Sequence, residues 1–431
     1  MEQNEQEYNI VIEDGVLKQF DKEYEGEYVV PSSITAIEHH AFMECEELTG
    51  IVIPASVTSI GELAFNGCGK LEHISVDEDN PVYDSRENCC AIIETASDTL
   101  IQGCVNTRIP DSVRRIGKHA FDSAWSLKTI IIPDSVKVIE DWAFSNCYEL
   151  RFIYLPESVV EIGMAAFYEC ESLKEITLPD SLKVLGDGAF CRCVSLSSIG
   201  FPASVTFVKG EDRLLSGCDS LKSISIDARN RLFDSRGGCN AIIETAYNRL
   251  TDGCENTIIP NTIESIADRA FSSTDIVAVI VPESVKHLGN HIFDSCEMLS
   301  HIVVNKNNPV YDSREDCNAI IKSSTNTLIY GCKNSVIPNS VTTIAESAFY
   351  GCSGLTTIES PDSVCTLREY AFGHCVNLTK VHIPDSVKYI DPKAFIGCTE
   401  LTLNIPENCE YTPDDYRKVK KVVRRKAKNK K

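Results

Sequence analysis

Ile132–Pro156 reads IPDSVKVIEDWAFSNCYELRFIYLP, and Leu155–Pro179 follows it as LPESVVEIGMAAFYECESLKEITLP. Overlaid, the two share the pattern IPxSVxxIxxxAFxxCxxLxxIxIP. The prolines carry it outward through the chain: Pro31, Pro54, Pro110, Pro133, Pro156, Pro179, Pro202, Pro260, Pro282, Pro338, Pro361, Pro384 and Pro406. Most steps are 23 residues, two are 22, and three are long, at 56, 58 and 56. Twelve units carry the Ala-Phe position, from Ala41-Phe42 to Ala394-Phe395, with Leu214-Leu215 and Ile292-Phe293 as relics of it. A fixed period of this length marks a repeat array.

Each position has a physical reading. LxxIxI alternates apolar and polar residues, as a half-buried strand does. Proline, which has no N–H to give, ends that strand's ladder. SVxxI is a second extended piece facing the same core. AFxxC is expected to form a short helical turn with Phe inside, and the Cys after it is a small buried side chain. No unit can bury its apolar face alone, so units must stack. The fold expected is a leucine-rich repeat solenoid of about twelve coils, over residues 29–406, with short strands and short helical turns.

The long steps hold one recurring insertion: NPVYDSRENCCAIIETASDTLIQGCVNTRIP from Asn80, NRLFDSRGGCNAIIETAYNRLTDGCENTIIP from Asn230 and NPVYDSREDCNAIIKSSTNTLIYGCKNSVIP from Asn308. Paired apolar runs around polar turn residues predict β-hairpins at about 80–108, 230–258 and 308–336. Residues 1–28 form an N-terminal cap, where Asp14-Gly15 between apolar runs signals a hairpin. Residues 407–431 are expected to form a C-terminal capping helix and basic tail. Thr412-Pro413-Asp414-Asp415 resembles a helix start, and Tyr416, Val419 and Val423 fall on one helical face.

The net charge of −22 is unevenly placed. Residues 411–431 hold ten Lys/Arg against two Asp, a balance of +8, so the remainder carries −22 − 8 = −30. An acidic body repels phosphate backbones, so nucleic acid is not expected on it. No apolar run approaches a membrane span of ~20 residues. The start, MEQNEQEYNIVIEDG, lacks the basic and apolar regions of a secretory signal. That predicts a cytoplasmic location, with the cell surface or secretion as the alternative.

The pattern IPxSVxxIxxxAFxxCxxLxxIxIP resembles the BspA-like leucine-rich repeat family over about residues 29–406, and the NPVYDSR insertion looks like a variant common in gut Bacteroidetes proteins. The resemblance implies the solenoid fold. It also implies a surface adhesin that binds host extracellular-matrix proteins, although members usually carry a secretion signal and often further domains. It marks no catalytic residue.

Candidate chemistry is sparse. The ladder cysteines run from Cys45 and Cys68 through Cys147, Cys170, Cys193, Cys218, Cys296, Cys352 and Cys375 to Cys398, with Ala124 and Thr274 in the same slot. A slot that accepts any small residue speaks for packing. Cys89/Cys104, Cys239/Cys254 and Cys317/Cys332 sit 15 apart on the hairpin arms. Packed free thiols are the reading, with a cross-strand disulfide as the alternative. Zinc would need four ligands. His287 and His291 are four apart but straddle Gly289. The triplets Asp84-Ser85-Arg86, Asp234-Ser235-Arg236 and Asp312-Ser313-Arg314 suggest turns with local ion pairs. No nucleophile elbow, phosphate loop or dinucleotide fingerprint occurs, so neither an enzyme nor a cofactor is expected.

The function expected is a non-catalytic protein-binding scaffold, a monomer, using the exposed strand face and the hairpins. The surface adhesin is one alternative. An adaptor whose basic tail docks on nucleic acid or membrane is another. The candidate contact row lies between Pro110 and Pro202: Ile131, then Phe152 and Tyr154, then Glu175 and Thr177. Solvated strands have little reason to place Ile, Phe and Tyr side by side.

Overall fold

The structure, a computed structural model, describes residues 8–207, 214–412 and 419–426. The chain divides into two compact units: Met1–Asp219 with Asp227–Asn230, and Ser220–Ile226 with Arg231–Lys431. Each is a stack of β-coils of the solenoid type that the repeat predicts.

In the first unit the SVxxI pieces form two-residue strands that pair parallel, each residue facing its own equivalent one coil on. Ile116 faces Ile139, Ile139 faces Ile162, and Ile162 faces Leu185. The LxxIxI strands form a separate ladder, with Thr129–Ile131 paired in register with Phe152–Tyr154. Ile130, Ile153 and Ile176 point inward and are buried, while their neighbours face out. The second unit repeats this plan through Thr343–Ile344, Thr366–Leu367 and Tyr389–Ile390. Between the two strand types the proline opens a turn, since the Val136 and Val159 N–H groups donate to the carbonyls of Pro133 and Pro156.

The phenylalanines stack in columns. Phe121, Phe144, Phe167 and Phe190 lie 4.9, 5.5 and 5.5 Å apart with their planes within 6°, and all four are fully buried. Burying such a ring contributes about 1.5–3 kcal/mol, with each aromatic pair adding roughly 0.5–1.5. The backbone holds the column, because the Phe N–H of one coil donates to the carbonyl of the residue before the next Phe: Phe121 to Ala143, Phe144 to Ala166, Phe167 to Ala189.

The AFxxC segment is not the helical turn expected. It is closed by i→i+3 bonds such as Cys170 N–H to Phe167 O, and left-handed residues flank it. The residue before the Ala is left-handed at His40, Leu63, His119, Trp142, Ala165 and Tyr370, and the residue before the Cys at Glu44, Asn146, Glu169, Arg192, Ser295 and His374. Each reversal of φ stops a helix from propagating. It also turns the N–H groups toward the next coil rather than along the chain.

The ladder cysteines do more than fill space. Cys147, Cys170 and Cys193 each donate S–H at 3.2 Å to the carbonyl of Phe121, Phe144 and Phe167 in the coil before. Cys375 and Cys398 do the same to Phe349 and Phe372. Burial pushes the thiols of Cys147, Cys170 and Cys193 up, and those of Cys45 and Cys296 to about 12.

Each insertion is a short antiparallel sheet that continues the parallel SVxxI ladder. Ala91–Glu94 pairs antiparallel with Thr99–Gly103, which then pairs parallel with Arg115–Ile116. Asn80 anchors its start: its amide donates to the Pro54 and Val57 carbonyls and accepts from the Val82 and Tyr83 N–H groups. Asn308 repeats all four bonds. The hairpin cysteines are not bonded to each other; Cys89 lies against Ala91 O and Cys104 donates to Cys90 O.

At the N-terminus, Val11–Glu13 and Val16–Gln19 form an antiparallel pair, and the second strand joins the coil ladder through Ala36–Ile37. At the other end the helix expectation needs correction. Residues 413–418, with Tyr416, lie outside the described residues. Val423, placed on that helix's apolar face, instead sits in the strand Lys421–Arg425, which pairs parallel with Thr402–Pro406. The last coil offers an open edge, and a strand satisfies it where a helix would leave its N–H and C=O groups unpaired. Two arginines of the basic tail are used here. Arg424 donates to the Cys409 and Tyr411 carbonyls, and Arg425 to Asn404 O and Asp385.

Candidate functional site

The strand row has the geometry of a continuous patch. Parallel register sets Ile131 directly beside Tyr154, and Thr129 beside Phe152. Ile131 is 79% exposed, Tyr154 66% and Phe152 51%. Glu175 and Thr177 are exposed on the strand of the following coil. The patch is edged by charge, with Lys128 3.7 Å from Glu149. A second apolar pair, Ile280 facing Val303, is exposed in the other unit. Exposed Val29, Ile258 and Val336 went unremarked in the sequence. Ile258 and Val336 share one hairpin position, each donating its N–H to the carbonyl of Cys239 or Cys317, so overlaying the three insertions would have found them.

The other candidates resolve into structure. In the Asp-Ser-Arg triplet, Arg86 grips Asp84 through two bonds of 2.8 and 2.6 Å, and its remaining nitrogen reaches Asp98 at 2.9 Å and Ser112 at 3.1 Å. Arg314 repeats this with Asp312, Asn326 and Ser340. The arginine thus staples the insertion's start to its hairpin tip and to the next coil. Burial raises the Asp84 and Asp312 carboxyls, but the arginine bonds outweigh it and hold both below the usual range. His291 lies 2.7 Å from Asp294, while His287 is exposed on a strand. Among the described residues no group of three or more His, Cys, Asp or Glu is placed to hold a metal, and no helix is long and apolar enough to cross a membrane.

A further site escaped the sequence. The first insertion parts two coils on their turn side and leaves a cleft of about 440 Å³, lined by Leu63, Phe65, Asn66, Tyr83, Gln102 and His119 among others. Phe65 stacks on Phe42 at 5.0 Å, but the insertion holds the next coil's ring away from its other face. One end of the cleft is closed by Asn66, whose amide donates at 2.9 Å to the buried carboxylate of Asp122. Asp122 also meets His119 and Asn146 at 2.9 Å. The third insertion differs. At the position of Gln102 it carries Tyr330, whose ring stands edge-on to Phe293 at 5.4 Å. The Tyr330 hydroxyl donates to Gly289 O and accepts from the Ile292 N–H at 3.5 Å. A void of about 10 Å³ remains beside it. The comparison LIQGC against LIYGC was the available signal, legible only once that position is known to point into the phenylalanine column.

A family model described as BspA type leucine rich repeat region matches the chain in six copies, over residues 18–94, 101–222, 240–329 and 319–416. No curated protein sequence matches it. Among solved structures, a leucine rich cell surface protein from Faecalibacterium prausnitzii is 23% identical, covers 96% of each chain and has a TM-score of 0.52. A leucine-rich repeat protein from Bacteroides ovatus is 24% identical over 95% of this chain and 98% of that one, at a TM-score of 0.41. A T. pallidum leucine rich repeat protein is 28% identical over 52% and 91%, at 0.31. The likeness to the Faecalibacterium protein is one of fold.

Proposed function

The chain belongs to the BspA-type leucine-rich repeat family, and from that membership we propose that it is a non-catalytic scaffold binding a protein ligand through the row Ile131, Phe152, Tyr154, Glu175 and Thr177. One observation carries this reading: the cross-strand neighbours Ile131 and Tyr154, with Phe152 beside them, are more than half exposed. Exposed apolar patches on rigid strands are where partners dock, and aromatic side chains dominate interface energetics. The neighbouring coils fix the row's backbone, so ordering it on binding costs little. The cavities and charged clusters of the described residues supply no nucleophile paired with a base, which favours binding over catalysis.

The partner class favoured is an extracellular protein at a cell surface. The Faecalibacterium protein is described as a cell surface protein, and the relatives lend no support to a cytoplasmic location. The test uses the purified full chain on immobilised extracellular-matrix proteins, beside the variant Phe152→Ser/Tyr154→Ser. Both side chains face solvent, so the variant keeps its circular dichroism and melting temperature. Its affinity for any matrix protein bound by the parent should fall by about 2 kcal/mol or more. Equal binding by a folded variant would remove the row from the interface. Resistance of the protein to protease on intact source cells would remove the surface location.

A further inference from the structure

We propose that the outer edge of the strand Lys421–Arg425 takes up an extended, acidic segment of a partner polypeptide as one further strand of the ladder. The edge shares no residue with the row at Ile131, Phe152 and Tyr154, so each can stand or fall alone.

The ladder shows which backbone groups are on offer. Lys421–Arg425 is the last strand of its sheet and pairs with Thr402–Pro406 on one side. The Lys421 N–H donates to Leu401 O, and the Arg425 carbonyl accepts from the Glu407 N–H. In a parallel pair, residues two apart face the same neighbour. Lys421, Val423 and Arg425 are therefore turned toward Thr402–Pro406, and Val422 and Arg424 away from it. The N–H and C=O groups of Val422 and Arg424 meet no partner among the described residues. They stand about 6.6 Å apart along the strand, on a stretch that is half-buried to exposed. That is the arrangement to which an extended peptide adds.

The other ladder at this end is closed by contrast. The SVxxI ladder finishes at the bridge between Tyr389 and Glu410. There the Arg424 guanidinium donates to the carbonyls of Glu407, Cys409 and Tyr411. The chain thus covers one edge with its own side chain and leaves the neighbouring edge open.

Side chains decide what that edge accepts. Lys421 and Lys426 are exposed and pair with no carboxylate among the described residues. Glu400 and Asp385 are already held, by Lys420 at 2.9 Å and Arg425 at 3.1 Å. The balance of +8 over residues 411–431 exceeds what Glu407 and Glu410 can offset. A second copy of the strand laid antiparallel on the first would set like charges opposite one another, which is destabilising. Charged side chains on an edge keep it from pairing with itself in this way. A strand carrying Glu or Asp meets the complementary charge instead. On the inner face Val422 lies beside Leu403 and packs on the core while still half-buried. The segment that fits therefore alternates, with carboxylates on the face of Lys421 and apolar side chains on the face of Val422.

The experiment titrates the full chain with blocked pentapeptides, read by ligand-detected NMR: Glu-Val-Glu-Val-Glu, the same peptide N-methylated throughout, and Lys-Val-Lys-Val-Lys. The acidic peptide should bind at one site, about tenfold or more tighter than either of the others. Val422→Pro removes an outward N–H and leaves the bonds to Thr402–Pro406 in place, since proline is tolerated on an edge where its nitrogen faces solvent. It should weaken the acidic peptide by about tenfold. Lys421→Glu/Lys426→Glu, at two exposed positions, should turn the preference toward the lysine peptide, and decides the matter if Val422→Pro does not fold. Phe152→Ser/Tyr154→Ser should bind the acidic peptide as the parent does. Equal binding of the acidic and lysine peptides, undiminished binding of the N-methylated one, or an unchanged preference after charge reversal overturns the proposal. So does a single-stranded oligonucleotide or a phosphatidylserine vesicle that binds more tightly than the acidic peptide and is unaffected by Val422→Pro, because the charge would then serve phosphate. A parent that sediments as a dimer, with Val422→Pro a monomer, would give the edge to a second copy and overturn it as well.

Discussion

The phenylalanine column should make the same substitution cost different amounts at two equally buried sites. Phe144 is stacked on both faces, against Phe121 at 4.9 Å and Phe167 at 5.5 Å. Phe65 is stacked on one, against Phe42 at 5.0 Å, because the first insertion interrupts the column. Leucine keeps most of the apolar volume, so the swap itself costs about 1 kcal/mol at either site. Each lost aromatic pair adds about 1 kcal/mol. Phe144→Leu should therefore cost about 3 kcal/mol and Phe65→Leu about 2. Urea unfolding followed by tryptophan fluorescence suits the comparison, since Trp125 and Trp142 are the chain's two tryptophans and both lie in the first unit. Equal slopes with midpoints separated by that difference would support the reasoning. Equal costs, or a larger one at Phe65, would show that packing volume alone sets the stability of the column.

Thiol chemistry should follow burial: a native chain should label quickly at exposed Cys365 and slowly at the ladder, while denaturant without reductant exposes all twenty. Native labelling of Cys147 or Cys170 by mass mapping would contradict the S–H bonds described. Removing residues 419–431 should lower the melting temperature and promote self-association, because it bares the Thr402–Pro406 edge; light scattering that shows an unchanged monomer would refute this. The Asp84, Asp234 and Asp312 carboxyls are all depressed, with the arginine bonds outweighing burial. Their contribution should be complete above the unfolded carboxyl range of about 4 and lost as pH falls through the lower folded value. Asp84→Asn/Asp234→Asn/Asp312→Asn should thus lower stability at neutral pH and flatten its fall below about pH 4; a parallel acid profile would remove the staples from the acid response.

Much of this fold is legible because each coil must bury the same face as its neighbours. The proline steps, the alternation around Ile153 and the buried Phe position follow from that constraint. What escaped are features that the repeat encodes without residue type. The AFxxC spacing imitates a helical turn, and most of the left-handed residues around it are not glycine, so φ is invisible in the letters. The cysteine slot tolerates Ala124, which hides the S–H bond to the preceding coil. The alternation of Lys421, Val422, Val423 and Arg424 fits helix or strand equally, and only the distant edge at Thr402–Pro406 decides. Of the strand row, the outward direction followed from the period of two; the cleft needed three insertions compared at one inward position.

The left-handed residue before each ladder position has a consequence for how such a protein changes. That slot is left-handed in every unit that carries the Ala-Phe position or its relic: glycine at 67, 217, 351 and 397, and otherwise Glu44, Ser123, Asn146, Glu169, Arg192, Ser273, Ser295 and His374. A non-glycine residue there costs about 1–2 kcal/mol, whichever side chain it is. The backbone therefore selects against bulk at the Cβ but is indifferent to the chemistry beyond it. Each slot is one coil's rise from the next, as the Arg192–Glu169 pair at 2.6 Å illustrates. Substitution can rewrite this column one position at a time without altering the path of the chain, so copies of the repeat can diverge in what they display while remaining interchangeable as architecture.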